Sequence, residues 1–190
     1  MKTLRTLIVS LVFFTLLFGG IYPAVSTVLL KALFKDKTEA SLIVGKDGKV
    51  LGSELIGQSF SEPEYFWGRL SGTGPNPYNA SASTGTNYSN GNEKLIQAAK
   101  DRIAALKAAD ASSQSAIPAD LVTASASGLD PHISIAAAQY QIPRVAKARS
   151  KSEAEIRSLV ERYTEGRQFG LFGEPRVNVL KLNLTLDGKL

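Results

Sequence analysis

Thr6-Leu7-Ile8-Val9-Ser10-Leu11-Val12-Phe13-Phe14-Thr15-Leu16-Leu17-Phe18-Gly19-Gly20-Ile21-Tyr22-Pro23-Ala24-Val25-Ser26-Thr27-Val28-Leu29-Leu30 is a run of twenty-five residues without one charged side chain. As a helix it would extend roughly 37 Å at 1.5 Å per residue, against a bilayer hydrocarbon core of about 30 Å. The run predicts a transmembrane helix over residues 7–30, with residues 1–6 as its flank and residues 31–190 as one domain beyond it. Arg5 and Lys31 bound it and Tyr22 lies inside it, residue types that settle at membrane–water boundaries. A second reading fits the same residues: Met1–Arg5 as a basic start, Leu7–Phe18 as a twelve-residue apolar core and Ala24-Val25-Ser26 as a small-x-small cleavage site. That reading would release a secreted binding protein after Ser26. The apolar stretch resumes at once with Val28-Leu29-Leu30 and Ala32-Leu33-Phe34, so length favours a retained anchor.

Lys2 and Arg5 precede the helix and Lys31, Lys35 and Lys37 follow it, so the positive-inside count is nearly tied. A long following domain translocates largely regardless of charge, which favours a cytoplasmic N-terminus and an extracytoplasmic domain. Within the helix, Pro23 has no N–H to give the carbonyl of Gly19, which loosens the helix there. Gly20 and Ala24 form a small-x-x-x-small pair that lets a neighbouring helix approach closely. Gly19, Gly20, Tyr22, Pro23 and Ala24 are therefore the candidate contact with a partner helix.

The whole chain carries a net charge of +5; without Lys2 and Arg5, residues 31–190 hold 20 basic and 17 acidic residues, a net +3. A domain so near balance gives no footprint for nucleic acid. No cysteine is present, which removes disulfides, thiolate zinc sites, iron–sulfur clusters and a cysteine nucleophile. One histidine excludes a multi-histidine metal site, and no Asp-x-Asp-x-Asp-Gly calcium loop occurs, so no metal is expected.

Leu42-Ile43-Val44 and Lys49-Val50-Leu51 flank Asp47-Gly48, a strong hairpin signal. Residues 71–92 contain no charge and are rich in Gly, Ser, Asn and Thr; Tyr78 and Tyr88 favour an ordered contact surface over a linker. Asn92 predicts the N-cap of a helix from Glu93 to Lys107, with Leu95, Ala99, Ile103 and Leu106 on one face. Pro118 opens a short helix, and Ser134 caps another that Pro143 should interrupt after Gln141. Ser152-Glu153-Ala154-Glu155 is a capping box that starts a helix to Tyr163. From Val177 to Leu186, leucines at 180, 182, 184 and 186 alternate with Lys181, Asn183 and Thr185, the pattern of a half-buried strand. The expected fold is α+β: one N-terminal transmembrane helix, then one mixed domain whose early hairpin and late strand share a sheet.

Three stretches invite a catalytic reading. Asp36-Lys37-Thr38 matches the opening of the Asp-Lys-Thr-Gly-Thr phosphorylation signature of P-type ATPases, but Glu39 replaces the glycine and no nucleotide domain follows. Ser125, Ser127, Asp130 and His132 cluster as a serine hydrolase would need, which frames a membrane-tethered hydrolase using Ser127 or His132 as an alternative. No Gly-x-Ser-x-Gly elbow surrounds either serine, so a structural turn is favoured and no catalytic residue is assigned. Phosphate loops of the Gly-x-x-x-x-Gly-Lys type are absent. Arg144, Lys147, Arg149 and Lys151 recur at helical spacing and are candidates for contact with a nucleotide or an acidic partner, against the plain alternative of a solvated face.

Several stretches, in order along nearly the whole chain, are recognisable together: Gly19–Pro23, Gly52–Gln58, Tyr65-Phe66-Trp67-Gly68-Arg69, Pro77–Asn79, Val122–Asp130, Gln141–Arg149 and Gly173–Leu180. With them the chain resembles the family of C subunits of the bacterial Kdp potassium-transporting ATPase. Thr123-Ala124-Ser125-Ala126-Ser127-Gly128-Leu129-Asp130 followed by Arg144-Val145-Ala146-Lys147-Ala148-Arg149 is the most specific part, and Ser125, Ser127, Gly128 and Asp130 are its motif residues. Thr84-Gly85-Thr86-Asn87 stands where the family usually has Ser-Gly-Gly-Ser-Asn. The resemblance implies a retained anchor in the bacterial plasma membrane and a non-catalytic accessory subunit of an ATP-driven potassium uptake complex. It implies three partners: a channel-like potassium-translocating subunit, a P-type ATPase catalytic subunit and a very small subunit. No firmly bound cofactor is implied. Two roles attach to the family: raising the ATPase subunit's affinity for ATP as a catalytic chaperone, or supporting assembly from outside the membrane over the channel entrance.

Overall fold

The computed structural model describes residues 2–111 and 113–190. The chain divides into two compact units, one ending at Leu42 and one spanning Ile43–Leu190.

In the first unit, α1 (Lys2–Leu16) passes through five π-helical residues, Leu17–Ile21, into α2 (Tyr22–Leu33), and a single turn α3 (Lys35–Thr38) follows. Lys2–Leu33 is long and apolar enough to cross a membrane. Its apolar side chains are exposed on every side, from Leu4 to Leu33, as a helix suited to lipid requires. The irregularity falls where Pro23 predicts it. Proline lacks an N–H and its ring crowds the carbonyl four residues back, on Gly19. The chain responds by widening one turn, so that the Tyr22 N–H donates to the carbonyl of Leu17.

The second unit carries β1 (Leu42–Val44), which begins at the junction, and β2 (Val50–Ser53), paired as a two-stranded sheet. Gly48 in the connecting turn has φ +78°, a left-handed value that glycine adopts without steric cost. After a long irregular stretch come α4 (Glu93–Ala109), a 3-10 turn at Ala119–Leu121, β3 (His132–Ser134), α5 (Ile135–Ala148) and α6 (Glu153–Arg162). The chain closes with β4 (Thr164–Glu165), β5 (Arg176–Asn178) and α7 (Val179–Leu186). Helix starts follow the expected chemistry: the side chains of Asn92, Ser134 and Ser152 each accept a backbone N–H of the first turn, and Ser152 with Glu155 completes the capping box.

A three-stranded antiparallel sheet, in the order β3-β5-β4, pairs Ile133 with Val177 and Thr164 with Val177. α5, α6 and α7 pack on it around Ile142, Val145, Ile156, Val177 and Leu182, all fully buried or nearly so. The mixed helix and strand content makes the fold α+β.

Three expectations give way. α5 is not interrupted at Pro143 but runs through it to Ala148. Pro143 and Gln139, whose carbonyl loses its donor, both sit on the exposed face, where water replaces the missing bond. The opposite face of α5 buries Ala138, Ile142, Val145 and Ala146, and that packing holds the helix together.

The stretch 177–186 is a strand only as far as Asn178, and then it is α7. Asn178 ends the strand by capping the Lys181 N–H with its side chain. α7 is buried on two sides, with Val179 and Leu182 in the main core and Leu180 and Leu184 against Ile43 of the hairpin. A helix enclosed in this way carries leucines all round, and every second one then mimics a strand. The hairpin and the chain end therefore meet by packing, through α7, and do not share a sheet.

Candidate functional site

Tyr65-Phe66-Trp67-Gly68-Arg69 crosses the middle of the domain as extended chain outside any sheet ladder. Phe66 and Trp67 are buried, so their backbone groups need partners from side chains. Two primary amides supply them. The Phe66 N–H donates to Asn183 Oδ1 and Asn183 Nδ2 donates to the Phe66 carbonyl, both at 2.9 Å. The Trp67 N–H donates to Gln141 Oε1 at 2.8 Å, and Gln141 Nε2 donates back to the Trp67 carbonyl at 3.1 Å. α7 and α5 each contribute one amide, so the segment is held as though two short strands flanked it.

The Trp67 ring lies between two guanidinium groups, with Arg102 of α4 and Arg144 of α5 each 4.8 Å from its centroid. Arg144 is buried; it donates to the carbonyls of Pro63 and Tyr65 and, at 2.7 Å, to Gln141 Oε1. Burial, and then the neighbouring Arg102 charge, bring its pKa down to about 10, which leaves it cationic at neutral pH. Arg102 donates to the carbonyls of Gly68 and Leu121, and its own burial lowers its pKa. Arg149 holds the same segment from the other end. It donates to the Glu64 and Leu186 carbonyls, pairs with Asp187 at 2.7 Å and stacks over the Tyr65 ring at 5.0 Å.

The uncharged loop beginning at Ser71 is ordered by the motif 123–130. Ser125 donates its N–H to Leu70, Thr84 donates its own to Ser127, and Ser71 Oγ donates to the Gly128 carbonyl at 2.7 Å. Gly128 has φ +69°, and a Cβ there would lie 2.5 Å from Thr73 Cγ2 and 2.8 Å from the Thr84 carbonyl. Tyr78 folds back so that its hydroxyl donates to the Arg69 carbonyl at 2.6 Å, and burial raises its pKa. Its ring covers Gly57 so closely that a Cβ there would collide with it. Asp130 accepts from Arg69 and from the His132 backbone. Burial pushes the Asp130 carboxyl up, but the His132 hydrogen bonds and the charges of His132 and Arg69 outweigh it, and the pKa falls.

The predicted site residues thus lie in separate settings. Ser125, Ser127, Gly128 and Asp130 fasten the loop. The Ser127 hydroxyl accepts the Leu129 N–H, while His132 faces Asp130 through Nδ1 at 3.3 Å and Glu165 through Nε2 at 3.9 Å. Among the described residues no hydrogen bond joins Ser127 to His132. Arg144 and Arg149 bind the segment 63–69, whereas Lys147 and Lys151 are exposed. Arg144 and Lys147 line an open groove with Pro63 and the end of α4. Gly19, Gly20, Tyr22, Pro23 and Ala24 are exposed around the π-helical turn, and nothing stands within 4 Å of a Cβ built on either glycine. No cluster of three or more metal-ligating side chains occurs among the described residues.

Sequence reasoning missed Gln141, Asn183, Arg69 and Arg102, which organise this centre. One signal was present: Asn183 stands between Leu182 and Leu184 and Gln141 beside Ile142, places where a buried, unpaired amide would be costly.

Residues 4–188 match the family model described as KdpC: K+-transporting ATPase, c chain. A Potassium-transporting ATPase KdpC subunit from Dechloromonas aromatica (strain RCB) is 57% identical over 188 residues, covering 98% of each chain. One from Methylococcus capsulatus is 57% identical over 180 residues, 95% of this chain and 94% of the relative. Another, from Herpetosiphon aurantiacus, is 55% identical over 183 residues, covering 96% and 94%.

Proposed function

This chain belongs to the KdpC family, the c chain of K+-transporting ATPases, and from that premise we propose that it is a non-catalytic accessory subunit of a potassium-uptake complex. The catalytic work belongs to a separate P-type ATPase chain. A channel-like subunit carries the ion, and a very small subunit completes the assembly. The helix Lys2–Leu33 anchors the chain in the bacterial plasma membrane as a single pass, with the N-terminus cytoplasmic and the domain extracytoplasmic. Around the π-helical turn, Gly19, Gly20 and Ala24 offer a neighbouring helix a close approach.

One observation carries the accessory reading: most of the domain's polar motif residues are spent on internal hydrogen bonds. Ser125, Ser127 and Asp130 hold a loop, and Arg144 and Arg149 hold the extended segment beneath it. Such an arrangement suits a rigid body that docks and supports. Lys147 and Lys151 are the members of the basic run left facing solvent; a nucleotide contact through them, raising the ATPase subunit's affinity for ATP, requires the domain to reach the cytoplasm, the orientation opposite to the one proposed.

The test is co-purification of the C-terminally tagged full chain in mild detergent from potassium-starved cells. Recovery of a P-type ATPase and a channel-like subunit, with potassium-stimulated ATP hydrolysis that is lost without this chain, is the expected result. A membrane-bound chain recovered alone would overturn the reading. A Lys147→Ala/Lys151→Ala chain separates the two roles: a raised KM for ATP at unchanged complex yield supports the chaperone role, and an unchanged KM removes it.

A further inference from the structure

Between β4 and β5 the chain makes a hairpin excursion, Gly166-Arg167-Gln168-Phe169-Gly170-Leu171-Phe172-Gly173-Glu174-Pro175. At its tip stand Phe169, Leu171 and Phe172, exposed to 91%, 75% and 66%. Among the described residues of Ile43–Leu190 these are the three most exposed large apolar side chains, and they are adjacent. An apolar cluster presented this way marks an interaction surface.

The tip is built to hold its shape. Gln168 and Phe172 exchange backbone hydrogen bonds at 2.9 Å in both directions, and Gly170 and Leu171 donate to the carbonyls of Arg167 and Gln168. Arg167 donates to both carboxylate oxygens of Glu174 at 2.8 Å and closes the neck. Phe169 adopts φ +53°, a left-handed conformation that a bulky residue seldom takes, beside Gly170 at +73° and Gly173 at +76°. A preformed turn with aromatic side chains facing outward loses little freedom on binding.

We infer that the tip formed by Phe169, Leu171 and Phe172 is a docking knob that seats in an apolar pocket of another protein subunit of the same complex. This rests on the accessory-subunit reading. Area and charge select that occupant. Two phenylalanines and a leucine offer at most roughly 500 Å², short of the ~800 Å² per partner of a stable free-standing interface. So small a contact holds between chains already confined together, which disfavours a second copy meeting by diffusion. At the neck, Arg167 pairs with Glu174 and Arg176 with Glu165, so the base of the tip is electrically neutral. A loop that enters a lipid surface gains from unpaired cations beside its apolar residues, and here both arginines are matched by carboxylates.

The experiment places the photo-reactive residue p-benzoylphenylalanine at Phe169 of the full chain, illuminates membranes holding the complex, and identifies the adduct by mass spectrometry. Glu161, exposed on α6, is the control position. An adduct with an identified subunit that co-purifies with this chain is expected from Phe169 and not from Glu161. Adducts only with lipid, only with a second copy, or with nothing would overturn the inference while the wild-type chain still co-purifies with the ATPase subunit. A wild-type chain without partners would instead overturn the accessory reading and this inference with it. In parallel, a Phe169→Asn/Leu171→Ser chain should lose about tenfold or more of the retained partner after a stringent wash, with its thermal unfolding unchanged. Asparagine tolerates the left-handed backbone, so unchanged retention by a folded variant would count against the knob.

Discussion

Replacing Asn183 by leucine is the sharpest test of how the domain is held together. The side chains have the same number and branching of heavy atoms, so the change removes polarity and keeps the outline, with leucine the bulkier of the two. Phe66 is fully buried, and both its N–H and its carbonyl bond to the Asn183 amide at 2.9 Å. Leucine leaves both groups unpaired, at roughly 1–3 kcal/mol each. The apolar side chain recovers about 1 kcal/mol of burial, so the net loss should be about 3 kcal/mol. For a domain of this size that corresponds to roughly 6–12 °C in Tm. The chain has a single tryptophan, Trp67, next to Phe66 in sequence, so its emission reports unfolding of the segment directly. Urea and thermal unfolding of the full chain in detergent micelles, followed at Trp67, would give the difference. A loss below about 1 kcal/mol would refute the claim that the amide stands in for a missing strand. Gln141→Leu makes the companion measurement at Trp67, and it should cost more than Asn183→Leu because Arg144 also loses an acceptor.

Three further outcomes follow from the same geometry. Burial pushes the Asp187 carboxyl up, but hydrogen bonds from Arg149, Lys189 and Tyr65 outweigh it and lower the pKa below 3.8; its stabilisation is therefore present above pH 3.8 and lost as pH falls through the folded value. Asp187→Asn should be less stable at pH 7 and show a flatter acid limb when unfolding is followed from pH 6 to pH 2. Gly128→Ala should cost about 2–3 kcal/mol through its positive φ and the collision with Thr73 and Thr84, and it should open residues 71–86 to protease, whereas Ser127→Ala should leave both stability and potassium-stimulated ATP hydrolysis nearly intact.

Local chemistry was legible in the sequence wherever one short stretch decides the outcome. The caps at Asn92, Ser134 and Ser152 formed as their side chains predict, and so did the turn at Asp47-Gly48 and the disturbance before Pro23. The failures occurred where distant burial decides. α5 passes through Pro143 because its other face is enclosed, and α7 replaces a strand because core lies on two of its sides. Arg144 and Arg149 carry helical spacing that also fits a solvated face. Only the fold places Pro63, Tyr65 and Asp187 where their guanidinium groups end. The family resemblance reached further than periodicity because it named the stretches that the fold later brings together.

Those stretches meet for one physical reason. An extended segment through the middle of a domain needs partners for every backbone group, and among the described residues no strand lies beside residues 65–69. Gln141 and Asn183 pair the backbone, Arg102 and Arg144 enclose the indole, and Arg69 ties the segment to Asp130 and Ala124. Asp130 then belongs to the motif that pins the loop from Ser71 to Thr84. Charges committed in this way cannot also bind a phosphate without exposing the carbonyls they serve. A nucleotide role would therefore fall to Lys147 and Lys151, and a docking role to surface that the fold leaves unused. The tip at Phe169, Leu171 and Phe172 is such a surface: among the described residues no core cluster includes its side chains, and its neck is already neutral. If the tip is the knob, removing it should release a partner and leave Trp67 emission unchanged, while Asn183→Leu should disturb the emission first and partner binding only through unfolding.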